Sequence, residues 1–482
     1  MATRPATETL GWPGLAGTPV LVAGAGVSGR SAAEALLAAG ARVTVTDAAE
    51  ERLAALASLQ AEGAELVVGL TEPPAGTGLV VTSPGWRPDT PLLAAAAAAG
   101  VEVVGEVELA WRLDRARAAA ADAGEGPATW LAVTGTNGKT TTVGMLESIL
   151  RAAGLDAVAC GNVGLPVVDA VRAGHRVLAV ELSSFQLHWS PSLRPAAGAV
   201  LNVAEDHLDW HGSMAAYAGA KARALVGDVA VAGVDDANAA ALLAAAPASR
   251  RVGVTLAEPA AGQLGLVGDA LVDRAFADGE PLAEIADVRP GGPPGLTDAL
   301  VAAALARAHG VPASAVRAGL RAYRPAAHRA ELVAEAGNVR YVDDSKATNP
   351  HAAAASLHAH DRVVWVAGGQ LKGASVDELV AGAASRLAGA VLLGVDRDRI
   401  AAALARHAPE VPVREVTTGD DGAMREAVRA ARSLARPGDV VLLAPAAASL
   451  DMFTDYAHRG RAFAEAVRAV IAETADPSGP GR

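Results

Sequence analysis

Residues 129–154 read TWLAVTGTNGKTTTVGMLESILRAAG. A short apolar run leads into a glycine-rich loop, and the loop leads into a segment that carries Val143, Leu146 and Leu150 on one helical face. Strand, loop and helix in that order turn backbone N–H groups and a helix N-terminus toward an anion. Gly135-Thr136-Asn137-Gly138-Lys139-Thr140 matches a phosphate-binding loop, except that Val133 stands where the first glycine of the pattern belongs. Gly135 and Gly138 let the chain curl around phosphate oxygens. Lys139 can bridge the β- and γ-phosphates of ATP, and the Thr140 hydroxyl can bind Mg²⁺. A ligand-free turn between strand and helix is the alternative, and the fit of all three pieces argues against it.

The next strands extend the site. Glu181 lies just past the apolar run VLAV, and His207 lies just past AVLNV, in AEDHLDWHG. Parallel strands share their carboxyl edge, and ligands bind there. Three strand ends would therefore gather Lys139, Thr140, Glu181 and His207, and a carboxylate and an imidazole there are suitable groups for a Mg²⁺ site. Taken singly, each is equally at home as a solvated loop residue.

Upstream, TPVLVAGAG reads as a buried strand, SGRSAAEALLAAG as a helix closed by Gly40, and ARVTVTDA as a second strand ending near Asp47. Gly24, Gly26 and Gly29 form G-x-G-x-x-G between strand and helix, and Asp47 falls near the distance expected of a ribose-binding acid. The motif fits NAD and other nucleotide diphosphates alike, and a tight turn without ligand fits it too. Residues 117–128 are rich in Gly, Pro and small side chains and read as a linker.

Downstream of Pro325, strands and helices alternate through RYVDDS, RVVWVAGG, GAVLLGV and GDVVLLAPA, and a long final helix is expected from Ser449. Lys346 and Thr348 follow one strand and Lys372 another, and Ser449 reads as either an N-cap or a carboxylate contact. The fold class is therefore α/β in three domains. Residues 1–117 form a Rossmann-like domain, 118–325 a central P-loop-type ATPase domain with a mostly parallel sheet, and 326–482 a Rossmann-like C-terminal domain.

Composition agrees. The chain has 482 residues, enough for about two to four domains. It is 51% hydrophobic and 20% charged but only 3% aromatic, so its cores must be built from Ala, Val and Leu. A net charge of −12 argues against nucleic acid and anionic membranes as partners. Cys160 is the only cysteine, which excludes an intramolecular disulfide and a cysteine-rich metal site. The start lacks the apolar core of a signal peptide, no apolar run approaches a membrane span, and the tail 475–482 reads as unstructured. A soluble, cytoplasmic monomer without membrane insertion is expected.

Taken in order, GAGVSG, SPGW, GTNGKTTT, GNVGLP, ELSSFQL, LNVAEDHLDWHG, HRAE, DDSKATN, GGQLKGA and APAAASLDMF resemble the Mur ligase family over nearly the whole chain. GTNGKT is common to these enzymes and to folylpolyglutamate synthases. DDSKATN, KGA and SLDMF resemble the D-glutamate-adding members. The resemblance implies an ATP-dependent amide ligase of peptidoglycan and cell-wall synthesis that serves cell division and cell shape, joining D-glutamate to UDP-N-acetylmuramoyl-L-alanine through an acyl phosphate. It implies that the first domain holds UDP rather than NAD, with Ser28, Asp47 and Gly85, while Asn162, Ser183 and Gln186 reach the rest of that substrate. ATP would meet Gly135, Thr136, Asn137, Gly138, Lys139, Thr140 and Thr141 together with Arg329 and Asp344. Metal would be held by Thr140, Glu181, His207 and Lys221, the last as a carbamate, and catalysis would fall to Lys139, Glu181, His207 and Lys221. D-Glutamate would meet Lys346, Thr348, Lys372, Ser449 and Tyr456. From its residues alone, Lys221 reads as an ordinary helix lysine.

Pro294, Gly295 and Asp298 depart from the His-Asn-x-x-Asn pattern usual in the family, and Ala444 and Ala447 stand where Ser and Cys are frequent. Asp455-Tyr456-Ala457-His458 matches a motif of other family members but falls in the final helix. The alternatives are another Mur-type ligase, a folylpolyglutamate synthase, or an NAD(P)-dependent oxidoreductase, which leaves GTNGKTT unexplained.

Overall fold

A computed structural model describes residues 14–120, 126–325, 327–418 and 422–475. The centre of the expected linker and residues 476–482 of the expected tail lie outside these. The chain divides into two compact units. The first holds residues up to Val203 and His207–Tyr323, and the second holds Ala204–Asp206 and everything from Arg324.

The first unit contains two sheets. One has five parallel strands: β1 (Pro19–Ala23), β2 (Arg42–Asp47), β3 (Glu65–Val68), β4 (Leu79–Thr82) and β5 (Glu102–Gly105). Their order, β3-β2-β1-β4-β5, reverses direction at β1 and so opens a crevice at the carboxyl ends of β1 and β4. The second sheet comprises β6 (Thr129–Thr134), β7 (Ala157–Gly161), β8 (Val177–Glu181), β9 (Ala197–Val200), β10 (Val229–Gly233), β11 (Arg250–Val254), β12 (Gln263–Val267), β13 (Ala270–Asp273) and β14 (Glu280–Glu284). Its order is β14-β13-β12-β11-β10-β9-β6-β8-β7, parallel from β12 through β7, with β13 and β14 antiparallel at one edge. β6 lies between β8 and β9, so the glycine loop that leaves it emerges at a second reversal point.

The second unit has one sheet: β15 (Glu331–Ala336), β16 (Val339–Asp343), β17 (Val363–Gly368), β18 (Leu387–Leu393), β19 (Val413–Glu415) and β20 (Val440–Leu443). The order is β15-β16-β20-β17-β18-β19, parallel except for β15. The ends of β16, β20 and β17 are neighbours, which places three loops side by side.

The scarcity of aromatics has the expected effect. The helix Gly292–Ala308 buries Leu296, Ala299, Leu300, Val301 and Ala302 through Ala306. Small side chains on most of its faces let it lie close under the sheet and against the helix Lys139–Ala152. Trp130 is fully buried, meets Trp111 edge-on at 5.3 Å and donates its indole N–H to Asp114 at 3.0 Å.

Two expectations need correction. The helix Glu106–Ala120 runs into the stretch read as linker, because its Ala-rich end favours helix and the glycines come only later. The final helix spans Tyr456–Ala475 and does not begin at Ser449; residues 449–455 form turns, with the Ser449 carbonyl accepting Met452 and Phe453 N–H. Asp455 occupies the cap, accepting His458 N–H at 2.6 Å, so the Asp-Tyr-Ala-His run straddles the helix start. Among the described residues no helix is long and apolar enough to cross a membrane.

Candidate active site

At the end of β1 the chain enters the first glycine loop. A β-carbon at Gly29 would lie 1.8 Å from the Gly24 carbonyl oxygen, so the helix Val27–Ala38 can pack this near the loop only with glycine there. Asp47 is 5% exposed and both its oxygens are engaged: Oδ2 accepts Ala25 N–H and Oδ1 accepts Ala49 N–H, each at 2.9 Å. Burial pushes its pKa up, but these N–H groups and Arg52 outweigh it and hold the carboxyl below the usual range. Its first role is therefore to brace the loop, which spacing alone does not reveal. Ser28 is half-buried in the first turn of the helix, and Gly85 leaves open space above it. Ser83, in the SPGW stretch, lies beside Gly24 and Gly29 with a buried hydroxyl that has no hydrogen-bond partner among the described residues. It was not among the expected site residues, and its position at the β4 end is the signal that marks it.

At the end of β6 the second glycine loop closes on itself. Gly138 has φ +87°, and a β-carbon there would lie 2.2 Å from Asp298 Oδ1, so both conformation and space demand glycine. Lys139 Nζ donates to the carbonyls of Gly135 at 2.8 Å and Thr136 at 2.9 Å. Asn137 is pinned by Asn202, whose Oδ1 accepts the Asn137 N–H at 2.9 Å. Thr140 lies in the first turn of the helix, which Lys139 opens, and Thr141 is buried behind it. Lys221, 2% exposed, sends Nζ to the Gly135 carbonyl at 2.9 Å and lies 4.5 Å from the centre of the Tyr217 ring. The Tyr217 hydroxyl meets Thr136 Oγ1 at 3.0 Å. Tyr217 was not expected, although its place four residues before Lys221 on one helix puts both on the same face.

Glu181 ends β8 opposite Val133 of β6, so it stands at the root of the loop. It is 3% exposed and accepts the Asn162 amide at 2.8 Å. His207 has φ +54° at the start of the helix Leu208–His211 and meets Phe185 edge-on at 4.7 Å. His211 stacks on Phe185 and bonds Ser184 Oγ at 2.9 Å. Burial, His188, His207 and Lys221 push its pKa down to about 4, so it is neutral at pH 7. Ser183 and Gln186 are committed to each other in a capping box, with Ser183 N–H bonded to Gln186 Oε1 at 2.9 Å and Gln186 N–H to Ser183 Oγ at 3.2 Å.

In the second unit, Asp344 follows β16 and accepts Ala330 N–H at 3.4 Å. Burial raises its pKa against the opposing pull of Ser356 and Arg329. Lys346 Nζ sits 3.8 Å over the Tyr456 ring. Thr348 is half-buried just before the helix Pro350–His358, which Asn349 caps. Lys372 is exposed at φ +49°, two residues past Gln370, and Ser449 is buried one residue past Ala448. Gln370 and Ala448 pair main chain to main chain at 2.9 Å in both directions, which joins the Lys372 and Ser449 loops.

Two glycine loops at the reversal points of parallel sheets, the second with lysines around it and a buried carboxylate at its root, define an α/β protein built to bind phosphates. Known families match in the same order along the chain. A MurD-like N-terminal domain of Mur ligases matches residues 18–105, the Mur ligase middle domain 133–262, and the Mur ligase glutamate ligase domain 328–447. The chain is 56% identical to the UDP-N-acetylmuramoylalanine–D-glutamate ligase of Nocardia farcinica, covering 95% of this chain and 97% of that one. It is also 56% identical to the ligase of the same name from Rhodococcus jostii, covering 96% and 97%. Among solved structures, the UDP-N-acetylmuramate-alanine ligase of Thermotoga maritima shares the fold at 18% identity, with a TM-score of 0.56 over 94% of this chain and 99% of that one. The chain belongs to the Mur ligase family.

Proposed function

We propose that the chain joins D-glutamate to the alanyl carboxylate of UDP-N-acetylmuramoyl-L-alanine at the expense of ATP. The observation that carries this is full-length similarity, above half identity, to proteins named for that reaction. The alternatives lack such support, and an oxidoreductase would leave the second glycine loop without a purpose.

A carboxylate does not condense with an amine at neutral pH, because oxide would have to leave. Transfer of the γ-phosphoryl group to the carboxylate gives an acyl phosphate, the amine attacks its carbonyl carbon, and phosphate departs. In this reading the loop Gly135–Thr141 cradles the triphosphate and Lys139 swings from its carbonyl partners to the transferring group. The first glycine loop, with Ser28, Asp47 and Gly85, takes the uridine diphosphate, and Asn162, Ser183 and Gln186 border the sugar side. Arg329 and Asp344 meet the nucleotide, and Lys346, Thr348, Lys372, Ser449 and Tyr456 the amino acid.

Glu181 fits a divalent cation: among the described residues its one hydrogen-bond partner is a neutral amide, and a buried anion needs a counter-charge. Mg²⁺ held by Thr140, Glu181 and His207 would neutralise phosphate charge. Lys221 as a carbamate would add a ligand for it. That modification requires the Nζ to leave the Gly135 carbonyl, lose one proton, form a C–N bond to CO₂ and then release a second proton to solvent.

The deciding experiment measures phosphate release from ATP with UDP-N-acetylmuramoyl-L-alanine and a panel of D- and L-amino acids. Release stimulated by D-glutamate alone is expected. Stimulation by another amino acid in its place, or by none, rejects the proposal.

A further inference from the structure

The second unit holds an arginine where an arginine is costly. Arg459, in the first turn of the final helix, is 1% exposed. Among the described residues it forms no direct ion pair; Asp343 and Asp451 act on it only from a distance. Burial of this kind lowers its pKa to about 10, so it remains charged at pH 7. Its charge is spread instead over main-chain oxygens. Nη2 donates to the Ser345 carbonyl at 2.9 Å, and Nη1 to the carbonyls of Ala447 at 3.0 Å and Gly368 at 3.3 Å. Nε donates to Ser345 Oγ at 3.0 Å, and that hydroxyl donates on to the Tyr456 carbonyl at 2.8 Å.

These acceptors mark three neighbouring strand ends: Gly368 closes β17, and Ser345 and Ala447 lie in the loops after β16 and β20. Ser345 immediately precedes Lys346, Gly368 lies four residues before Lys372, and Ala447 lies two before Ser449. Tyr456, whose ring lies under Lys346 Nζ, starts the helix that carries Arg459. Every element proposed to hold the amino acid is thus fastened to one guanidinium. The planar fork is what makes this possible, since its donors diverge in one plane at fixed angles.

We propose that Arg459 is the positioning residue of the amino-acid site: it fixes the spacing of the Lys346, Lys372 and Ser449 loops and thereby sets the affinity for the incoming D-glutamate without touching it. This rests on the ligase reading above. A lysine at this position keeps the buried cation but has a single nitrogen, which cannot reach all three loops.

The test compares the wild-type chain with Arg459→Lys and with Ser345→Ala, a milder change that removes only the hydroxyl link. Steady-state phosphate release is titrated separately in each substrate, and hydrogen–deuterium exchange is followed in peptides spanning residues 343–349, 366–373 and 445–451. The KM for D-glutamate should rise by about tenfold or more in Arg459→Lys, and less in Ser345→Ala, while the KM for the UDP substrate stays within about threefold. Exchange should quicken in all three loops together. A fall in kcat with an unchanged D-glutamate KM and unchanged exchange overturns the inference and leaves the ligase reading standing. A wild-type chain that releases no phosphate on adding D-glutamate overturns the ligase reading, and this substrate assignment with it, whatever the loops do.

Discussion

Lys139 and Lys221 converge on a single acceptor, the carbonyl oxygen of Gly135, at 2.8 and 2.9 Å. Two ammonium groups sharing one carbonyl repel each other, and the natural relief is an anion that draws one of them away. A triphosphate arriving in the loop supplies that anion. Lys139→Ala should therefore lower kcat for phosphate release by about 10²-fold or more, with the thermal midpoint little changed, since loss of a preorganised charge acts mainly on the transition state. Release at the wild-type rate would remove Lys139 from the chemistry.

The buried hydroxyl of Ser83 makes a different kind of prediction. It has no partner among the described residues, so deleting it breaks no bond seen there and Ser83→Ala should leave the thermal midpoint within a degree or so. If the hydroxyl waits for the diphosphate, the KM for the UDP substrate should rise about 5- to 10-fold, one hydrogen bond's worth. An unaltered KM would assign the hydroxyl to packing alone.

Gly29→Ala tests the close approach of helix to loop. The added carbon would sit 1.8 Å from the Gly24 oxygen, and backbone must move to admit it. A loss of about 2 kcal/mol or more is expected in denaturant unfolding, together with weakened binding of the UDP substrate by calorimetry. A variant as stable as the parent would show that the loop shifts freely.

Glu106 carries a pH signature. It is fully buried, accepts Val168 N–H at 2.6 Å, and its pKa is raised from 4.5 to about 7, chiefly by burial and further by Asp169. The folded chain thus holds this proton more tightly than the unfolded chain between those values, and the stabilisation is lost as pH rises through about 7. Glu106→Gln keeps an acceptor for the N–H and abolishes the titration. Its melting temperature should gain on the wild type between pH 5 and pH 8. Parallel curves for the two proteins would mean that Glu106 titrates normally.

A function written in a short local pattern is legible in the sequence. The strand–loop–helix around Lys139 and the placement of Glu181 at the root of the loop follow from motif and strand order, both of which are local. What tertiary contacts decide is not legible there. Asp298 looked like a departure from a nucleotide-facing pattern, and in the structure its carboxylate packs against the Gly138 backbone, a neighbour 160 residues away in the chain. Spacing puts Asp47 near a ribose, and only the folded chain adds that its oxygens brace the loop through the N–H groups of Ala25 and Ala49. Ser183 and Gln186 fit a capping box as well as a ligand contact, because capping and binding use the same donors and acceptors. Ser449 failed as a helix start since the turn after it also suits serine, and Asp455 makes the better cap.

The two alanines that replace Ser and Cys in the last strand-end loop are both gripped by their main chain. Trp365 Nε1 reaches the Ala444 carbonyl at 2.7 Å, and Arg459 reaches the Ala447 carbonyl. Every amino acid presents that same oxygen. The path of this loop is therefore held through peptide groups that serine and cysteine also present, while the complete burial of both side chains restricts the two positions to small residues.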